Sequence, residues 1–332
     1  MKEAAIWLSE EAVTSLVSLG DTISALEDSV RQLGHGSAFN VPKALGSYSD
    51  ASSMHSLGSA LVTAGYCGYK NWVNTPNGAK AVFILFDANE GKLLAVMEAN
   101  CLGKMRTSAI TGLGTKWVAP EVANDMALIG SGRQAFAQVA AINLVRPLER
   151  IRIWSPTPER RQAFCRSLAE QFDFEVLEAN TIDEATEGAP IVTTVTRARE
   201  PFLKSRMLAR GAHLNAVGSI LPSSAEINQD VFERVGFIAV DDVPNARKAS
   251  RELIDYFDKG AGGGDWDRVR PLGTVVAEGI TPPADCDITL FKAMGMGISD
   301  LTVAMLAYQR AVQRGVGSPF SLTASAAIQW KG

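Results

Sequence analysis

The stretch MALIGSGRQAFAQVAAINLV, residues 126–145, joins a short apolar run to a helical pattern through Gly130-Ser131-Gly132. It reads as strand, tight turn and helix in the form G-x-G-x-x-A, with Gly130, Gly132 and Ala135 at the small positions. The first glycine permits the bend, the second lets a pyrophosphate approach the main chain, and a small third residue lets helix and strand pack closely. Amides at the start of the helix then face the anion, at the favourable end of the dipole. Three small residues alone are weak evidence. Set between a strand and a helix, with a further strand roughly 20 residues on, they point to a dinucleotide crevice rather than a bare structural turn.

The next strand ends in RIWSPTPERR, residues 152–161. NAD enzymes usually carry an acid there to hold the ribose diol. Here Ser155 and Thr157 are followed by Arg160 and Arg161, a set that suits a 2′-phosphate and favours NADP, with NAD left open. The competing reading is a helix start capped by Ser155 or Thr157 with exposed arginines.

From 125 to 245 short apolar runs (MALIG, IRIWS, FEVLE, IVTTVT, HLNAVG, FIAVDD) alternate with helical patterns at 132–145, 158–172 and 227–234. That alternation predicts parallel strands with right-handed crossovers, a doubly wound α/β sheet covered on both faces. The first 118 residues differ. Residues 1–16 read as an amphipathic helix, and VFILFDANEGKLLAVM at 82–97 reads as an antiparallel hairpin. The stretch 259–273 is a Gly-rich loop, and 299–315 a strongly amphipathic helix. At 332 residues the chain calls for two domains. We assign 1–118 together with 301–332 to an α+β substrate-binding and dimerisation domain, and 119–300 to a Rossmann-type nucleotide domain.

With 46% hydrophobic residues and a net charge of −4, the chain has the balance of a folded protein and no basic run to hold a nucleic acid. Cys67, Cys101, Cys165 and Cys286 form no CxxC pair, and His35, His55 and His213 are scattered, so neither a disulfide framework nor a metal site is expected. No apolar run approaches the roughly 20 residues that span a bilayer. The expected location is the cytoplasm, with no membrane partner.

One residue stands in an awkward place. In GKMRTSAITGLGTKWVA, residues 103–119, Arg106, Ile110, Leu113 and Trp117 fall on one helical face, so an arginine opens an apolar stripe in what reads as the first turn. There it opposes the helix dipole unless an anion sits beside it, bound by the guanidinium fork and by first-turn amides. The alternative is an internal partner, Glu98. Lys70, in GYKNWVNTPNG, reads by itself as a surface lysine.

Together YKNWVNTP (69–76), MRTSAITGL (105–113), LIGSGRQA (128–135), IRIWSPT (151–157), HLNAVGSILPSSAEI (213–227) and ITLFKAMGMGISDLTVA (288–304) resemble the ornithine cyclodeaminase/μ-crystallin family, in the family's order and over most of the chain. The resemblance implies a homodimer with a discontinuous N-terminal domain and NAD(P) on a Rossmann domain. By position it implies that Lys70 and Arg106 form the substrate site, with Arg106 holding a carboxylate and Lys70 binding it or moving a proton at nitrogen. It further implies that Gly130, Ser131, Gly132, Arg133 and Gln134 hold the pyrophosphate, and that Thr196, Val217 and Ser219 line the nicotinamide half. The family often has proline-x-arginine near position 43; here Lys43 keeps the charge but loses the fork. Cyclodeaminases carry an aspartate shortly after the VG pair, where Ile220 stands here. Isoleucine moves no proton. The expected activity is therefore hydride transfer between NADP(H) or NAD(H) and the C=N or CH–NH bond of a small imino acid or cyclic ketimine carboxylate. Cyclodeamination with another base, or a non-catalytic NADP(H)-binding protein akin to the crystallins, are the alternatives.

Overall fold

The computed structural model describes residues 4–260, 263–322 and 330. Two sheets organise it. The first is largely antiparallel, in the order Ser318–Phe320, Ala5–Leu8, Leu93–Glu98, Gly78–Asp87, Tyr66–Thr75, Ser52–Leu61, Ala38–Asn40, with Ala44–Ser49 also paired to Ser52–Leu61. The second is wholly parallel, in the order Glu175–Glu178, Arg150–Trp154, Asp125–Ile129, Ile191–Thr194, Ala212–Ala216, Ile288–Lys292, Val235–Val240, Val269–Pro271. The strand order reverses between Asp125–Ile129 and Ile191–Thr194, which opens a crevice at the carboxyl ends of the strands.

All six strands expected between 125 and 245 are present, and the hairpin forms with Gly78–Asp87 against Leu93–Glu98. Several elements differ from expectation. The helix expected over 1–16 is a strand, Ala5–Leu8, followed by a helix, Glu10–Leu16, with Ser9 as N-cap accepting from the Ala12 N–H. The apolar Ala-Ile-Trp-Leu run pairs in parallel with Leu93–Glu98, and that pairing overrides the helical pattern. The Gly-rich segment 259–273 contains the short edge strand Val269–Pro271. Ile288–Lys292 lies inside the parallel sheet, between Ala212–Ala216 and Val235–Val240, and is buried throughout.

Helix Asn100–Val118 runs from the first sheet to the second, and its middle is buried from Ser108 to Thr115. Arg146 locks its far end. The guanidinium, 8% exposed, donates to the carbonyls of Lys116, Ala119, Pro120 and Val145 at 2.8–3.0 Å. Those carbonyls belong to the ends of this helix and of helix Ala135–Val145, where intrahelical donors run out. Helix Gly297–Arg314 packs back on the first sheet, and Ser318–Phe320 pairs with Ala5–Leu8. No helix among the described residues is long and apolar enough to cross a membrane.

Candidate active site

The crevice begins at the quoted turn. Gly130 has φ +117°, and a Cβ there would stand 2.8 Å from the Val195 carbonyl oxygen, so conformation and close approach both demand glycine. At Gly132 a Cβ would meet nothing within 4 Å, which leaves room beside the main chain. Helix Ala135–Val145 starts after Gln134 with no side-chain cap, so its amides face the space above the turn. Arg133 is exposed, and the Gln134 Oε1 is buried without a hydrogen-bond partner. A pyrophosphate fits this cradle.

At the second strand tip, the Ser131 hydroxyl donates to Ser155 Oγ at 2.9 Å, and Ser155 is buried. Thr157 occupies the N-cap position of helix Pro158–Ala169 without a side-chain cap bond, and Arg160 is exposed beyond it. Arg161 departs from expectation. It is buried, pairs with Glu178 at 2.7 Å and donates to the Ser155 carbonyl at 2.7 Å, so it shapes the strand tip instead of facing a ligand.

Lys70 is not a surface lysine. It lies mid-strand in Tyr66–Thr75, 5% exposed, with Nζ 2.6 Å from Asp300 Oδ1. Arg106 reaches the same oxygen, Nε at 3.3 Å. One fully buried carboxylate, contributed by helix Gly297–Arg314, thus serves both cations, and its Oδ2 has no hydrogen-bond partner. Burial, aided by the Arg106 charge, pulls the Lys70 ammonium down to about 8 against the opposing pull of Asp300. Lys43 is half-buried, and burial with the Arg106 charge lowers its pKa too. Lys43 and Lys70 both lie over the Trp72 ring, at 5.6 and 5.0 Å, and His55 stacks on that ring at 4.5 Å. Burial and the Lys43 charge lower the His55 pKa.

Two expectations about Arg106 are corrected. The helix begins at Asn100, so Arg106 lies in its second turn, and the Asn100 and Cys101 amides are taken by Glu10 at 2.7 and 2.8 Å. Glu98 accepts from the Glu10 N–H and is not the partner of Arg106. Arg106 instead faces Gly295, where a Cβ would come 3.0 Å from its Nη1. Gly295 itself donates to Asp241 at 2.8 Å, beside the carboxyl end of Val235–Val240. Burial raises the Asp241 carboxyl to about 6 even though it accepts two main-chain N–H groups. The Lys70–Asp300–Arg106 cluster therefore borders the same sheet edge as the phosphate turn.

Thr196, Val217 and Ser219 follow the carboxyl ends of Ile191–Thr194 and Ala212–Ala216, beyond the switch point. Thr196 and Ser219 offer main chain: their N–H groups bind Glu226 at 2.6 and 3.2 Å, and the Ser219 hydroxyl turns inward to the Ser224 carbonyl. Val217 is nearly buried and Ile220 is exposed. Among the described residues no group of three or more His, Cys, Asp or Glu side chains is disposed to hold a metal ion.

Asp300 escaped sequence reasoning. The only hint is its place near the start of an amphipathic helix within GMGISDLTVA; its partners lie 230 and 194 residues away.

The ornithine cyclodeaminase/mu-crystallin family model matches residues 3–315. A Bacillus cereus Delta(1)-pyrroline-2-carboxylate reductase is 31% identical over 80% of this chain and 81% of its own length. The Rattus norvegicus ketimine reductase mu-crystallin is 33% identical over 76% of this chain and 75% of its own. Among solved structures, Thermococcus litoralis Delta(1)-pyrroline-2-carboxylate reductase in complex with NADH and L-proline superposes with a TM-score of 0.88 at 26% identity, over 95% of this chain and all of that one. The chain belongs to the ornithine cyclodeaminase/mu-crystallin family.

Proposed function

We propose that the protein is a nicotinamide-dependent oxidoreductase that reduces the C=N bond of a small imino acid or cyclic ketimine carboxylate and, in reverse, oxidises the matching amino acid. The observation that carries this reading is the convergence of Lys70 and Arg106 on Asp300 at the edge of a crevice with a phosphate cradle. The bound reduced coenzyme supplies the hydride. Arg106, assisted by Lys43, clamps the substrate carboxylate and fixes the C=N group over the crevice. Lys70 gives its proton to the imine nitrogen as the bond is reduced, which is the role its buried ammonium suits. Asp300, buried between the two cations, holds Lys70 and Arg106 in place for these tasks. Ile220 moves no proton, which favours simple reduction over cyclodeamination.

We read the coenzyme as NADP(H): no acid stands at the second strand tip, the nearby Glu178 is neutralised by Arg161, and Thr157 with Arg160 remains to meet a 2′-phosphate. We also read the chain as two domains, 1–118 with 301–332 and 119–300, paired as a homodimer.

The test measures NADPH and NADH oxidation with Δ1-pyrroline-2-carboxylate, Δ1-piperideine-2-carboxylate and pyruvate plus methylamine. Turnover is expected with NADPH preferred. Arg106→Ala should lower kcat/KM by about 100-fold, the loss expected when a charge-assisted clamp is removed, with circular dichroism unchanged. Coenzyme binding without oxidation of any substrate would sink the reading.

A further inference from the structure

Beneath the crevice floor lie three fully or almost fully buried charges that the reaction above does not use: Glu226, Glu252 and Lys292. Glu226 gathers the ends of two adjacent strands. Its Oε1 accepts the Thr196 N–H at 2.6 Å, and its Oε2 accepts the Thr194 hydroxyl at 2.9 Å and the Gly218 and Ser219 N–H groups at 3.0 and 3.2 Å. Three of the four groups aimed at this carboxyl are main-chain N–H groups, which can only donate; these bonds and the Lys292 charge favour the ionised form against burial and the Glu252 charge, which raise its pKa. A Cβ at Gly218 would stand 2.3 Å from Glu226 Oε1, so no side chain separates the acid from the floor.

Glu252 accepts the Glu226 and Ile227 N–H groups at 2.6 and 3.1 Å and pairs with Lys292 at 2.6 Å. Lys292 also donates to the Ser219 carbonyl at 2.6 Å. The ammonium is paired with Glu252 and not with Glu226, so an ionised Glu226 leaves one negative charge in excess. A buried charge without a counter-charge is costly, and this cost falls when a cation occupies the adjoining space. In a doubly wound sheet the adenosine half lies over the strands on one side of the switch point and the nicotinamide half over those on the other, here Ile191–Thr194 and Ala212–Ala216.

We propose that Glu226 is the counter-charge of the oxidised coenzyme: acting through the Thr196, Gly218 and Ser219 main chain, its excess negative charge stabilises the cationic ring left when hydride departs. It is a positioning residue, resting on the reading that this crevice binds NAD(P). Hydride leaves the reduced ring with both bonding electrons and passes to the imine carbon, the imine nitrogen takes a proton, and the ring is left positive. A negative charge below favours that ring over the neutral reduced one.

The test titrates the intact protein with NADP+, NADPH and 2′-phospho-ADP-ribose, which lacks the nicotinamide, and needs no turnover. In Glu226→Gln the Kd for NADP+ should rise at least about fivefold relative to that for NADPH, an effect modest for one unit charge at this depth. The Kd for 2′-phospho-ADP-ribose should stay within about twofold. Glu252→Gln, which neutralises the same network at its other acid, should move the ratio the same way and serves if the first variant does not fold. An unchanged ratio, or equal weakening of both coenzyme forms, overturns the proposal. Failure of the unaltered protein to bind any of the three ligands instead overturns the coenzyme reading on which it rests.

Discussion

Lys70 shows how a residue's meaning changes with its neighbours. In sequence it precedes polar, turn-forming residues; in the structure it occupies a buried strand position facing Asp300 and Arg106, with Lys43 close enough to add its charge. As the proton donor it must be charged for reduction. The ammonium predominates below its pKa of about 8, so kcat/KM for imine reduction should be flat there and fall about tenfold per pH unit above it. Amino acid oxidation needs the neutral amine and should rise with pH and level off near the same value. Asp300→Asn removes the charge that holds the ammonium up, so the alkaline limb should move to lower pH; a limb that stays put would show that Lys70 is not the titrating group. The family resemblance carried by YKNWVNTP implied a place for Lys70 in the substrate site, but its burial was not legible nearby, because that burial comes from strands and a helix far along the chain. Arg106 was half legible: its misplacement on an apolar stripe exposed it, while its real partner lay beyond any local pattern.

At the scale of elements, what could be read was what is local. The strand–turn–helix at 126–145 carries its evidence in adjacent residues, and the six alternating strands follow from their own composition. The long strands Ser52–Leu61 and Tyr66–Thr75 went unforeseen because serines, glycines and asparagines dilute their apolar pattern; their pairing with each other and with Gly78–Asp87 defines them. Arg146 is another such case. No local pattern marks it, yet it ties together two helix ends. Arg146→Met should leave four carbonyls short of a donor and lower unfolding free energy by about 3 kcal/mol, read as a shift in urea midpoint at unchanged slope. Because helix Asn100–Val118 carries Arg106, kcat should fall in the same variant. A loss below about 1 kcal/mol would mean that water replaces the guanidinium with ease.

On the molecular scale, the first sheet leaves an apolar face uncovered. Met54 and Val73, directly opposite one another on Ser52–Leu61 and Tyr66–Thr75, share one face of the sheet and are 55% and 42% exposed. The neighbouring strand Ala44–Ser49 exposes Leu45 and Tyr48 as well. Such a patch on a folded protein marks an interface, and in the proposed homodimer a second copy of the same face would bury it symmetrically. Sedimentation should therefore give twice the chain mass of 35.5 kDa, and Val73→Asp should shift the protein toward monomer. A monomer at micromolar concentration in the unaltered protein would remove the homodimer from the proposal.

The strand Ile288–Lys292 has a consequence in time as well as in space. It occupies the interior of an eight-stranded parallel sheet, yet it is the last of those strands in the chain. A nascent polypeptide that has emerged through Val269–Pro271 holds every other strand of that layer, with a vacant slot between Ala212–Ala216 and Val235–Val240. The two flanks cannot hydrogen-bond across it, and the ammonium of Lys292, which ties the crevice floor to Glu252, arrives with the same segment. The nucleotide fold is thus a keystone arch, closed only when its last strand is in place.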